Sequence, residues 1–128
     1  MKKEIIICIV IIIAVIILNI ITINYTKESV QSLKVELSDI KENIEKEKDI
    51  NSINEKVKEL RENWETRYEK LAYYIEHNEL EKVELYIVGL DSNINVEEYS
   101  QAIGELDKCI YVLEHIKDKY SFNLENIF

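Results

Sequence analysis

The sequence predicts an all-α protein: one N-terminal transmembrane helix, a juxtamembrane stalk helix and a small antiparallel helical bundle. Three observations lead there. Residues Ile5 to Ile23 form a run in which twelve of nineteen are isoleucine and only Asn19 and Thr22 are polar. The 128-residue chain has no proline and only two glycines, Gly89 and Gly104, so it has few means of making tight turns or sheet edges. Beyond the run, apolar residues recur at three- and four-residue steps, the period of one helix face.

The apolar run reads as a span. At about 1.5 Å per residue a helix of that length reaches roughly 28 Å, close to the roughly 30 Å of a bilayer's hydrocarbon core. Fourteen unbroken apolar residues, Ile5 to Leu18, exceed an ordinary strand. In lipid a lone segment must satisfy its own backbone hydrogen bonds, so it becomes a helix despite its β-branched content. Met1-Lys2-Lys3 would suit a signal peptide, but the exit from Asn19 to Thr26 has no A-x-A-like site. Cys8 lies too near the start of the run to be a lipoprotein cysteine. A retained anchor is therefore expected, in contact with the lipid bilayer through Ile5–Ile23. Lys2 and Lys3 favour a cytoplasmic N-terminus. Lys27, Lys34 and Lys41 follow the span, but they belong to a long region that translocates largely regardless of charge. The expected location is the cell membrane, with the C-terminal part extracytoplasmic.

The organisation expected is a cytoplasmic N-terminus (1–4), the span (5–23), a stalk helix (24–51) and an acidic bundle (52–128). In the stalk, Val30, Leu33, Leu37, Ile40 and Ile44 make a narrow stripe, and Glu42 and Lys46 pair at i,i+4. Two heptads are too few to separate a dimerising coiled coil from a stalk that packs on its own domain. Tyr25 suits the aromatic belt at the lipid boundary.

Ser52 with Glu55, Asn78 with Glu81 and Asn95 with Glu98 have the capping-box spacing, and each lies where the apolar pattern breaks. They predict three further helices. The second runs to about Glu76 with Ile53, Val57, Leu60, Trp64, Tyr68, Leu71 and Ile75 on one face. The third carries Leu80, Val83, Ile87 and Leu90, and the fourth Tyr99, Ile103, Leu106, Ile110, Leu113 and Ile116. Val83–Val88 has strand-like composition but no partner run, so a helix is preferred. A turn at Ser92–Asn95 would set Val83 near Ile103 and Leu80 near Leu106. A bundle of this size is marginal for a single core, so help from the stalk, a second copy or a partner is expected.

Composition excludes several functions. Without Lys2, Lys3 and Glu4 the chain carries 14 Lys and Arg against 24 Asp and Glu, a net charge of −10. Nucleic acid and anionic lipid surfaces both ask for the opposite sign. Cys109 is the one cysteine outside the span and reads as a small buried hydrophobe. His77 sits beside Glu76, Glu79, Glu81 and Glu84, and His77 with Glu81 could share a metal. No second metal-ligand pattern supports it, and a histidine at a helix end has a simpler role against the terminal dipole. Trp64 is expected in the core rather than stacked on a ligand. Nothing assembles a nucleophile, base and orienter, so no enzyme and no cofactor is expected. The terminal Phe122, Leu124, Ile127 and Phe128 are apolar where a disordered tail would be polar, and are expected to dock on the bundle or on a partner.

An N-terminal anchor, Trp64, the segment Ile75-Glu-His-Asn-Glu-Leu80 and the terminal Leu124-Glu-Asn-Ile-Phe128 together resemble an uncharacterised bacterial domain-of-unknown-function family, number forty-three sixty-three. The resemblance covers nearly the whole chain. It implies a short membrane-anchored helical protein, carries no catalytic residue, and marks Trp64, His77, Glu79, Leu80, Asn126 and Ile127. The function expected is a non-catalytic interaction module or accessory subunit of a membrane assembly. Its partner would be another protein or a second copy, and Trp64, His77, Asn126, Ile127 and Phe128 are the candidate surface. The alternatives are an extracytoplasmic sensor of a small ligand and a carboxylate–histidine metal protein.

Overall fold

A computed structural model describes residues 1–125, and side chains as far as residue 121. The helices are α1 (Lys2–Glu45), α2 (Ile50–Leu71), α3 (His77–Asn95) and α4 (Tyr99–Glu125). There is no strand among the described residues, and Val83–Val88 lies within α3.

Helix α1 is unbroken over 44 residues, about 66 Å at the usual rise. Its first half is bare: Ile13 is 50% and Leu18 60% exposed. From Thr26 onward one face is buried through Thr26, Ser29, Val30, Leu33, Leu37, Ile40 and Ile44. The segment expected as a stalk (24–51) is therefore the first helix of the bundle, and the core is not confined to 52–128. The cause is geometric. Three helices alone would leave the α2 and α4 stripes partly open, and α1 closes the ring by packing on both. The result is a four-helix up-down bundle with α1–α2, α2–α3, α3–α4 and α4–α1 seams.

Both turns at the end far from the apolar run are built alike. Glu47 and Glu97 adopt left-handed backbone conformations, with φ of 54° and 58°. The Glu47 amide donates to the Ile44 carbonyl and the Lys48 amide to that of Asn43, at 3.1 and 3.0 Å. Glu97 and Glu98 repeat this with Ile94 and Asn93, at 3.0 and 2.8 Å. These are Schellman closures with glutamate where glycine is usual. The recurring Asn-Ile pairs, Asn43-Ile44 and Asn93-Ile94, begin two matching hairpins.

The capping boxes do not form. Helix α2 begins at Ile50 and α3 at His77, and neither has a side-chain cap. Ser52 and Asn78 therefore lie inside their first turns, and Asn95 ends α3 rather than starting α4. The C-terminal closures at Glu47 and Glu97 determine where the following helices can start. Helix α2 stops at Leu71, short of Glu76, because Ala72–Glu76 turns back beneath the bundle. The α3–α4 turn lies past Asn95, which shifts the hairpin register. Gly89 faces Glu105, and Glu79 lies near His115. Continued along both helices, that register sets Val83 level with Tyr111, not with Ile103, and Leu80 level with Glu114, not with Leu106.

The core contains Leu33, Leu37, Ile40, Ile53, Leu60, Trp64, Ile87, Leu90, Ile94, Leu106 and Leu113, each at most 2% exposed. On α4 its innermost positions include Ala102 and Cys109, while Tyr99, Ile103 and Ile110 are only partly buried beside it. At the end nearer the apolar run, the hydroxyls of Tyr74 and Thr26 lie 2.7 Å apart. Both reach the Thr22 carbonyl, at 3.1 and 2.8 Å. The Tyr120 hydroxyl accepts the Glu76 amide at 2.8 Å, serving the start of α3 in place of a cap.

Candidate functional site

Of the four seams the one between α2 and α3 is the loosest, and two clefts open along it. Antiparallel helices diverge where the facing side chains are too polar to interlock, and here both helices carry glutamates toward the seam.

The cleft nearer the apolar run has a volume of about 540 Å³. Trp64 and Tyr68 form its apolar floor, one turn apart on α2, with rings in edge-to-face contact at 5.8 Å and 67°. Glu65 and Glu69 line it from α2, and His77, Glu81 and Glu84 from α3. Trp64 is 1% exposed and its indole N–H donates to the Glu84 carboxylate. The Tyr68 hydroxyl lies 3.4 Å from His77 Nδ1, and His77 Nε2 lies 3.0 Å from Glu81. No lysine or arginine lines this cleft. Four carboxylates beside two aromatic rings suit a cation that carries some apolar surface, such as an amine or a guanidinium on an alkyl stem.

The second cleft, of about 600 Å³, is more polar and lies nearer the far end. Lys58 and Arg61 both line it, and Arg61 crosses it to Asp91 at 2.7 Å. Glu65 lines both clefts and joins them into one groove.

Trp64 and His77, singled out from the sequence, thus come together in one cleft, although the tryptophan presents little surface of its own. His77 and Glu81 do meet as their spacing foretold, both well exposed. No group of three metal-ligating side chains gathers among the described residues. His115 approaches Glu79 instead, at 3.8 Å. Glu79 is 8% exposed with one carboxylate oxygen unpartnered, and Lys119 lies 3.9 Å from the other. The side chains of Phe122 and Leu124, and all of Asn126, Ile127 and Phe128, lie outside the described residues. Glu65 and Glu69 carry no signal in the sequence, because exposed glutamates are common and only the α2–α3 packing brings them, with Glu84, to Trp64.

Cys109 is fully buried, and burial pushes its thiol up to about 12, so it is neither a nucleophile nor a ready disulfide partner. Helix α1 contains a stretch long and apolar enough to cross a membrane, with none of that stretch buried in the bundle.

No curated protein and no solved structure matches the chain. A family model described as a domain of unknown function, DUF4363, matches residues 20–127, from the end of the apolar run through the whole bundle. The chain therefore belongs to the DUF4363 family.

Proposed function

We propose that this is a single-pass membrane protein that presents an acidic four-helix bundle outside the cytoplasmic membrane. There it serves as a non-catalytic accessory subunit of a membrane assembly. Its partner supplies a basic segment to the α2–α3 groove. The observation that carries this is the lower cleft, where two aromatic rings and four glutamates converge with no lysine or arginine lining it. Membrane anchorage is supported by the bare, apolar first half of α1. Retention of the anchor is supported by the continuity of α1. Cleavage near Asn19–Thr26 would cut a helix whose Thr22 carbonyl and buried Thr26 belong to the bundle's own hydrogen bonding. Lys2 and Lys3 support the orientation.

The test uses the full-length protein in liposomes. A short lysine- and arginine-rich peptide should change Trp64 fluorescence saturably. Paired Glu65→Gln and Glu81→Gln substitutions, both at exposed positions, should weaken that binding at least tenfold while leaving the helical signal unchanged. Absence of any saturable response, or a response indifferent to the two substitutions, overturns the groove as a docking site.

A second reading, sensing of a small organic cation, is favoured by the size of the same cleft, since ligand pockets generally span roughly 300–1,000 Å³. It predicts that a small alkylamine binds as tightly as the peptide does.

A further inference from the structure

The end of the bundle nearest the apolar run carries a ring of tyrosines that the groove does not use. Tyr25 on α1, Tyr73 and Tyr74 in the α2–α3 turn, and Tyr120 on α4 all lie there. Tyr74 and Tyr120 stack edge to face at 6.4 Å, and with Asn19, Thr22, Ile23 and Thr26 they enclose a small polar cleft of about 170 Å³. Lys70 and Arg67 lie over the Tyr25 ring, at 5.4 and 6.0 Å. Tyr73 is different. It is 89% exposed, the barest aromatic side chain among the described residues, in a turn that otherwise tucks Ile75 into the core at 4%.

The height of this ring relative to a bilayer follows from α1 being one unbroken helix. If Ile5–Ile23 spans the membrane, centring it on the roughly 30 Å hydrocarbon core puts Thr22 and Ile23 just inside the hydrocarbon boundary. The headgroup layer adds roughly 5–7 Å on that side, out to the level of about Glu28, which takes in Thr26. Tyr74 is bonded to the Thr22 carbonyl and to Thr26, so the Ala72–Glu76 turn is held at that same level. No flexible tether separates bundle from span that would let the turn float free, because α1 continues without a break to Glu45.

We propose that the bundle does not hang from a stalk but is seated in the bilayer interface. The α2–α3 turn enters the headgroup layer, and Tyr73 is its anchor into lipid. The occupant of this surface is the lipid boundary itself. Tyrosine suits that boundary because its ring is apolar and its hydroxyl remains with water and headgroups. Charge does not drive the seating: Lys27, Arg67, Lys70 and Lys119 at this end are offset by Glu28, Glu69, Glu76 and Asp118. It is therefore indifferent to anionic lipid content. This inference rests on the proposed span, and the test separates the two.

The wild-type chain in liposomes provides the first measurement. Tyr73 and Tyr111 are 89% and 76% exposed in the protein alone, so a water-borne tyrosine-nitrating reagent should modify Tyr73 at least as fast. Seating in the interface reverses the order, because Tyr111 stands at mid-bundle. Tyr111 should react several-fold faster in bilayers, equally in zwitterionic and anionic lipid. Faster reaction at Tyr73 overturns the proposal. The second measurement compares Tyr73→Trp with wild type, whose Trp64 provides the background. The added emission should be quenched by lipids brominated near the top of the acyl chain and little affected by iodide. Quenching by iodide alone overturns the proposal. An Ile13→Trp reporter, read with lipids brominated deep in the chain, tests the span separately. If it too escapes lipid quenching, the span has failed rather than the seating alone.

Discussion

The indole N–H of Trp64 donates to the Glu84 carboxylate, linking α2 to α3 at the floor of the groove. The two residues are unequal partners: the tryptophan is 1% exposed, whereas Glu84 reaches solvent. Losing the acceptor leaves a buried donor unpaired. Glu84→Ala should therefore cost about 1–3 kcal/mol in urea unfolding. Glu84→Gln keeps a carbonyl acceptor and should cost less than about 1 kcal/mol. Equal stability of Glu84→Ala and wild type would remove this link from the account.

Trp64 also illustrates what could be read from the chain. The stripes Val30–Ile44, Ile53–Trp64 and Leu80–Leu90 fall in the core as their spacing required, because large apolar residues at helical period have few other places to go. On α4 the pattern misleads. Hydrophobicity pointed to Ile103 and Ile110, which are only partly buried, while Ala102, which the stripe passed over, is innermost beside the expected Cys109; both small side chains suit close helix approach. Ser52 and Asn78 misled for another reason. A helix begins where the preceding turn releases the chain, and those turns are closed by Glu47 in one case and by the Tyr73–Ile75 bend in the other. Glutamate in a left-handed conformation leaves no signal in sequence. The groove was illegible because Glu65 and Glu84 meet only through the register of two helices.

Two carboxylates should give stability opposite pH dependences. Burial pushes the Glu36 carboxyl up, Asn63 and Arg67 only partly offset this, and one carboxylate oxygen has no partner. Its folded form holds a proton more readily than the unfolded chain, so it subtracts stability as pH rises from about 4.3 through its folded value. Glu36→Gln should raise Tm at neutral pH and leave it unchanged in acid. Glu114 is held below the usual range by hydrogen bonds from Lys117 and Lys34. It adds stability above about 4.3 that is lost as pH falls through its folded value. Glu114→Gln should lower stability at neutral pH by about 0.2–1 kcal/mol, as for other surface pairs. The difference should shrink in acid and in high salt. Thermal melts across pH that show both variants shifting in the same direction contradict this assignment.

The two glycines interrupt helix interiors and should respond differently to alanine. A Cβ on Gly104 would meet nothing within 4 Å, so Gly104→Ala should stabilise by the full helix-propensity difference of about 0.5–1 kcal/mol. A Cβ on Gly89 would come within 2.7 Å of the Glu105 carboxylate. That side chain can swing away, but moving it also disturbs its contact with Lys108 at 3.3 Å. Gly89→Ala should gain clearly less than Gly104→Ala in the same denaturation assay, and the reverse order is inconsistent with this packing.

Cys109 and Val96 together provide a test of orientation. The Cys109 thiol is 0% exposed and raised to about 12, so a water-soluble maleimide should leave it unlabelled until the bundle unfolds. Its stability contribution should also fall only above about 8.5, where the unfolded thiol ionises and the folded one does not. The native cysteine is thus a reporter of unfolding and cannot report which side of the membrane the bundle occupies. Val96 can, being 67% exposed at the end of α3 farthest from the apolar run. Val96→Cys should label immediately in the purified protein. In intact cells a membrane-impermeant maleimide should label it as fast as after lysis if the bundle lies outside the cytoplasmic membrane. Labelling that appears only on lysis would place the bundle inside and reverse the proposed topology. It would leave the fold and the seating of Tyr73 at the interface untouched, because both follow from the continuity of α1 and not from its direction.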